Sequence, residues 1–232
     1  MNDFFYHSPK YFYLISDNKE FLINIVLASI TFLAVLVALF QERIRQYFNS
    51  AKLDMKINLV PPDCHKISLT NGTTGQHLCN SIYIRIRISN VNSPSAENAE
   101  VILSNFWEIT SENNKKVLEK FLPMNLVWSH FQPRTHVIKI PKGISRHCDF
   151  GYFAPIGEQG NVWLKLDTIT QPNPVAGGEI PNIIKQGKYV FELLISGDNV
   201  VPQRKTWQLE FDGLWSEDEK EMLDKHIKIK EI

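Results

Sequence analysis

The chain has 232 residues, with Lys plus Arg and Asp plus Glu both at 25, so its formal charge is zero. That balance excludes the basic excess by which nucleic-acid-binding chains meet phosphate, so no nucleic-acid partner is expected. Three cysteines, an odd count, suit reduced thiols better than a disulfide framework.

Residues 1–20 form a short tail rich in aromatics, among them Phe4, Phe5, Tyr6, Tyr11, Phe12 and Tyr13. Residues 21–40, FLINIVLASITFLAVLVALF, follow without charge, proline or glycine. About 20 apolar residues in a helix cover roughly 30 Å, the hydrocarbon thickness of a bilayer, so the stretch predicts a transmembrane helix and the lipid bilayer as a partner. A buried core helix of this length would show a polar face, which is missing here. A cleavable signal would need a basic start and a small-residue cleavage site, whereas Gln41, Glu42 and Arg43 follow the run. Ser29 and Thr31 can bond back to helix carbonyls. Arg43, Arg45, Lys52 and Lys56 outnumber Glu42 and Asp54 on the C-terminal flank. That asymmetry predicts a single-pass protein of the plasma membrane with the tail outside and the remainder in the cytoplasm.

Residues 41–51 read as a juxtamembrane helix and linker, with Ile44, Tyr47 and Phe48 on one side. Residues 52–232 read as one domain, long enough for a proper core. Leu53, Met55, Ile57 and Leu59 alternate with polar residues, the mark of a half-buried strand. Residues 61–80 read as irregular. Then Ile82, Ile84, Ile86 and Ile88 alternate with Tyr83, Arg85, Arg87 and Ser89, which sends the isoleucines to a core and the two arginines to solvent or a binding face. Further strands are expected at 96–109, 135–140, 161–169, 187–196 and 203–213. Between them, 121–133 reads as a Trp- and Phe-rich loop packed over a sandwich edge. A short helix closes the chain, with Ser216 as N-cap and Glu219 completing a capping box. The fold class is mainly β: an antiparallel two-sheet, immunoglobulin-like sandwich after one N-terminal transmembrane helix, with a short C-terminal helix.

The stretch from Asn90 to Val101 follows the isoleucine strand and resembles the strand-turn-strand signature of bacterial immunoglobulin-like modules of the cell-adhesion-related type. Ser93 stands where that family usually has glycine, and Ile140-Pro141-Lys142-Gly143 resembles its proline-glycine turn. The resemblance implies a binding or spacer module without catalysis. The whole chain is also similar to uncharacterised prokaryotic single-span proteins with a C-terminal sandwich, a likeness that implies no function.

Phosphate-binding glycine loops, zinc-protease and nucleophile-elbow motifs are all missing, so a non-enzymatic interaction module with an unknown protein partner is the expected function. Trp107, Trp128 and Phe131 are candidate contacts or core residues. A second reading, a metal- or redox-responsive sensor, rests on Asp63-Cys64-His65 and its mirror His147-Cys148-Asp149, both taken as loops. Cys64, His65, His147 and Cys148 form one possible zinc set; Cys64, His65, His77 and Cys79 form another, with His130 in reserve.

Overall fold

In a computed structural model, described for residues 10–91, 94–110, 114–118, 121–169 and 182–232, the chain divides into a helical unit and a β unit from Asn49 to Ile232. The side chains of 10–18 and 42–48 lie outside the described residues. So do the N-terminal aromatics, Arg43, Arg45 and the turn at 92–93, on which expectations were placed.

The helix α1 spans Lys10–Asn49, so it takes in part of the expected tail as well as the apolar run. Within it, Lys19–Gln41 has a mean hydropathy of 2.7 and none of it is buried by the rest of the chain. It is therefore long and apolar enough to cross a membrane. Ser29 and Thr31 donate to the carbonyls of Ile25 and Leu27, both at 2.8 Å, which removes the cost of two hydroxyls in an apolar setting.

The β unit is a sandwich of two antiparallel sheets. Its strands are β1 (Asp54–Lys56), β2 (Cys64–Thr70), β3 (His77–Ser89), β4 (Ala96–Ile109), β5 (Lys115–Val117), β6 (Met124–Asn125), β7 (Val127–Trp128), β8 (Ile138–Ile140), β9 (Ser145–Ala154), β10 (Trp163–Leu166), β11 (Ile183–Ile184), β12 (Gly187–Ser196), β13 (Gln203–Phe211) and β14 (Ile227–Glu231). The first sheet runs β1-β3-β9-β10-β11, with β2 also on β3 and β7 on β9. The second runs β14-β13-β12-β4-β5, with β6 and β8 also on β4.

The isoleucine alternation in β3 behaves as its period requires. Ile82, Ile84, Ile86 and Ile88 are completely buried and face the second sheet's apolar side. The sheets meet through aromatic rings: Phe150 stacks on Phe191 at 4.7 Å and Phe153 meets Phe211 edge-on at 4.9 Å, while within the second sheet Phe191 stacks on its cross-strand neighbour Trp207 at 5.7 Å.

Two segments expected to be loops are strands. Cys64–Thr70 pairs with β3, and Ser145–Ala154 pairs with β3 along its whole length. β9 hid from the sequence because its period breaks in the middle. Gly151 faces Ile84 and Asp149 faces Arg85, so Phe150 is an extra residue, a β-bulge. Cys148 and Phe150 point inward before it, and Phe153 points inward after it. A Cβ on Gly151 would lie 2.3 Å from the Lys165 carbonyl oxygen, so only glycine lets β10 approach there.

At the C-terminus the cap is Asp218, not Ser216. Asp218 accepts from the backbone of Lys220 and Glu221, starting the short helix α2 (Glu219–Glu221). Ser216 instead donates to Glu221. A π-helical turn, Met222–His226, then delivers Ile227 to β14.

Candidate functional site

Successive residues of a strand face opposite ways, and this disperses the expected zinc ligands. Cys64 and Cys148 point into the core and are fully buried. His65 and His147 point to the outer face of the first sheet. There His147 meets Asp63 at 2.8 Å and His65 meets Arg85 at 2.9 Å. His77 is exposed and bonded to Ser68, with Cys79 partly buried two residues on. Among the described residues no group of three or more His, Cys, Asp or Glu side chains is placed to hold a metal ion, so neither zinc set assembles. Burial pushes the Cys64 thiol up to about 12 and the Cys148 thiol well above its ordinary value, which leaves both thiols protonated and unreactive.

What the outer face gathers instead is a polar cluster around Arg85. This residue was expected in solvent, yet only 8 % of it is exposed. Its cover comes from distant segments. Nη2 donates to the Pro62 carbonyl at 2.7 Å and to Nδ1 of His65, while Nη1 donates to Nε2 of His130 at 3.1 Å. Guanidinium has no acceptor, so both imidazoles must receive. Nη2 lies 2.9 Å from Nδ1 of His65 and 3.4 Å from its Nε2, so either ring nitrogen can be the acceptor there, while the His130 proton sits on Nδ1. Burial and the Arg85 charge hold the His65 imidazole below its usual pKa, consistent with a neutral ring.

All three of these partners are neutral. Among the described residues no carboxylate forms an ion pair with Arg85, and its Nε is buried with no hydrogen-bond partner. Asp149, opposite Arg85 on β9, supplies negative charge without a hydrogen bond to it. A buried guanidinium with no hydrogen-bonded carboxylate and an unpartnered Nε is an expensive arrangement for packing alone. The pocket beside it, about 310 Å³, is lined by Arg85, His65, His130, Ser129 and Asp149 together with Ile67 and Tyr83.

Neighbouring groups fix its walls. Ser129 donates to Asp149 at 2.5 Å, and Tyr83 donates to Asp167 at 2.6 Å, with Arg134 also on Asp167. Burial, opposed by the Ser129 hydrogen bond, holds the Asp149 carboxyl above its ordinary value. Tyr83 stacks on Tyr152 across β3 and β9, with ring centroids 5.8 Å apart. Below the pocket, Asp63 is almost fully buried and collects Asn58 at 2.5 Å, His147 at 2.8 Å and Arg87 at 3.8 Å.

Ser129, His130 and Asp149 lie together without forming a nucleophilic relay. The serine hydroxyl is given to the aspartate, and the His130 nitrogen that would receive it faces Arg85. A larger pocket of about 510 Å³ is bordered by Trp163, Tyr189, Glu108 and Lys185, but its charged groups are exposed, whereas the smaller one has the buried Arg85. Trp128 is core, bonded through Nε1 to the carbonyls of Ala99 and His136. Trp107 is half-buried under Lys115, and Phe131 is exposed.

No protein-family model matches the chain, and no curated protein is similar to it. The likeness to bacterial immunoglobulin-like modules therefore reaches as far as the two-sheet sandwich architecture and carries no family assignment.

Proposed function

We propose that this chain is a membrane-anchored binding module without catalysis: α1 crosses the bilayer, the sandwich sits in the cytoplasm, and the pocket at Arg85 receives part of its partner. One observation carries the reading. A guanidinium is buried at a pocket wall with no hydrogen-bonded carboxylate and with its Nε unpartnered, which is costly in an idle fold and useful in a recognition site. The apolar helix and the basic residues after it support the placement. The alternative of a metal- or redox-responsive sensor has no such support, because the Cys64 and Cys148 thiols are enclosed in the core.

The test uses the full chain in lipid nanodiscs with ¹⁵N-labelled histidines. Acidic, basic, neutral and phosphate-bearing small molecules are added in turn. Movement of the His65 and His130 signals by at least one class, with that of His226, which is bonded to Asp212, unmoved, supports a binding pocket. Signals that stay fixed for every class overturn it. A reporter active only in the cytoplasm, fused after Ile232, tests the orientation; activity confined to the outer side reverses it.

A further inference from the structure

We infer that the end of the β unit where the chain enters it at Asn49 docks on an anionic lipid surface, with Val91, Ile144 and Val201 at the acyl boundary and Lys142 and Arg146 on the headgroups. The inference rests on α1 crossing the membrane, as proposed above, and does not involve the Arg85 pocket.

Chain length supplies the first argument. The apolar run ends at Gln41 and the β unit begins at Asn49. The residues between them are helical, so at 1.5 Å per residue they hold Asn49 within about 12 Å of the hydrocarbon edge. Three connections of the sandwich share the end that holds Asn49: residues 90–91 with 94–95, residues 141–144, and residues 197–202.

Two asparagines tie them together. Asn199 donates through Nδ2 to the carbonyls of Asn49 at 2.8 Å and Ser95 at 2.9 Å, and its Oδ1 accepts from the Glu97 backbone at 2.8 Å. Asn90 is completely buried and donates to the carbonyls of Pro94 and Ile140, while its backbone bonds to Gly143 and Ile144. Ala51 bonds to the backbone of Asn199 and Val201. A surface fixed in this way gives up little conformational freedom on binding.

Its outer side has the chemistry of a lipid contact. Val91, Ile144 and Val201 are all exposed. Scattered singly, such side chains are ordinary; three on the connections of one end mark an interaction surface. Gly143, at φ 75°, turns the chain so that Ile144 stands between the exposed cations Lys142 and Arg146. Among the described residues neither cation forms an ion pair, whereas the carboxylates of this end are engaged. Glu97 meets Lys139 at 2.7 Å, Asp54 meets Lys205 at 3.1 Å, and Asp198 accepts from Asn98 at 2.7 Å. An apolar tip between two cations suits the boundary where acyl chains meet phosphate.

The experiment uses the full chain with Cys79→Ser, in nanodiscs of phosphatidylcholine with and without phosphatidylglycerol. A nitroxide is placed at Val91→Cys or Ile144→Cys. Leu33→Cys in the apolar run is the immersed reference, and Gln76→Cys, beside the opposite end of β3, is the aqueous one. Collision with oxygen and with a water-soluble nickel chelate reports the surroundings of each label. With phosphatidylglycerol, the labels at 91 and 144 should favour oxygen as the label at 33 does, and the label at 76 should favour nickel. Lys142→Gln with Arg146→Gln should lower the ratio of docked to undocked protein about thirtyfold, about fivefold for each cation removed. Both positions are exposed, so the variant keeps its fold, which circular dichroism checks.

Labels at 91 and 144 as open to nickel as the label at 76, with the label at 33 immersed, would overturn docking and leave the anchor intact. Immersion that persists undiminished without phosphatidylglycerol, or in the double variant, would overturn the headgroup contact and the inference with it. A label at 33 open to nickel would instead remove the membrane span on which the inference stands.

Discussion

Replacing Ile86 with alanine tests whether β3 is the strand that welds the two sheets. Ile86 is completely buried, sits opposite Cys148 on β9, and is flanked on its face by Ile84 and Ile88. Alanine removes three carbons, a loss of about 2.4 kcal/mol at about 0.8 kcal/mol per methylene. A site walled by paired strands cannot collapse fully, so a residual cavity brings the cost to about 3–5 kcal/mol. For a domain of this size each kcal/mol lowers Tm by roughly 2–4 °C, so the drop should be roughly 6–20 °C. The assay is thermal unfolding of the full chain in detergent followed by tryptophan fluorescence, to which the buried Trp128 and Trp207 report. Arg87→Ala is the internal reference. Its side chain is 42 % exposed and reaches Asp63 only at 3.8 Å, so it should cost about 1 kcal/mol or less. If Ile86→Ala shifts Tm no more than Arg87→Ala does, the inward face of β3 has been misidentified and the packing argument fails with it.

Gly151→Ala should destabilise the fold by about 1–3 kcal/mol, because the new methyl runs into the Lys165 carbonyl; an unchanged Tm would contradict the contact. In the native protein a maleimide should label Cys79 alone and reach Cys64 and Cys148 only after denaturation; fast native labelling of either core thiol would refute their burial. His65 is held below its ordinary pKa by burial and Arg85, with Glu219 opposing and His130 assisting, so its stabilising effect is complete above about pH 6.5 and is lost as pH falls further. His65→Gln should therefore flatten the dependence of Tm on pH between about 7 and 5, and an unaltered slope would count against the neutral ring. Asp149 is shifted the other way: its contribution is complete below about pH 3.9 and lost as pH rises through the folded value. Asp149→Asn should then be at least as stable as the parent at pH 7, with the advantage shrinking toward pH 4; a less stable variant at pH 7 would mean the charge is favoured.

What could be read from residue order alone was what depends on short range. The apolar run of α1 and the alternation in β3, β12 and β13 are local periodicities, and each appears as an element of the structure. β9 was lost because its period is broken by one residue, so no single window of alternation covers it. Arg85 was misplaced for a different reason. Alternation correctly puts it on the face away from the core, but whether that face is wet depends on Pro62, His65 and His130, which arrive from other parts of the chain. The same directional rule would have dispersed Cys64 from His65, and His147 from Cys148, had those segments been recognised as strands. The candidate site was thus legible as residue types and hidden as geometry.

The bulge at Phe150 has a consequence for how this chain can change over generations. β9 is written in two frames, one that places Asp149 beside Arg85 and one that places Tyr152 beside Tyr83. A substitution alters one letter, but deletion of a single residue at the junction would merge the frames. With Phe150 removed, Asp149 would stay opposite Arg85 and Gly151 opposite Ile84, so Tyr152 would still face outward and Phe153 inward; the loss would be the Phe150 ring from the core. Position 151 should still admit glycine alone, because the approach of β10 leaves no room for a side chain there.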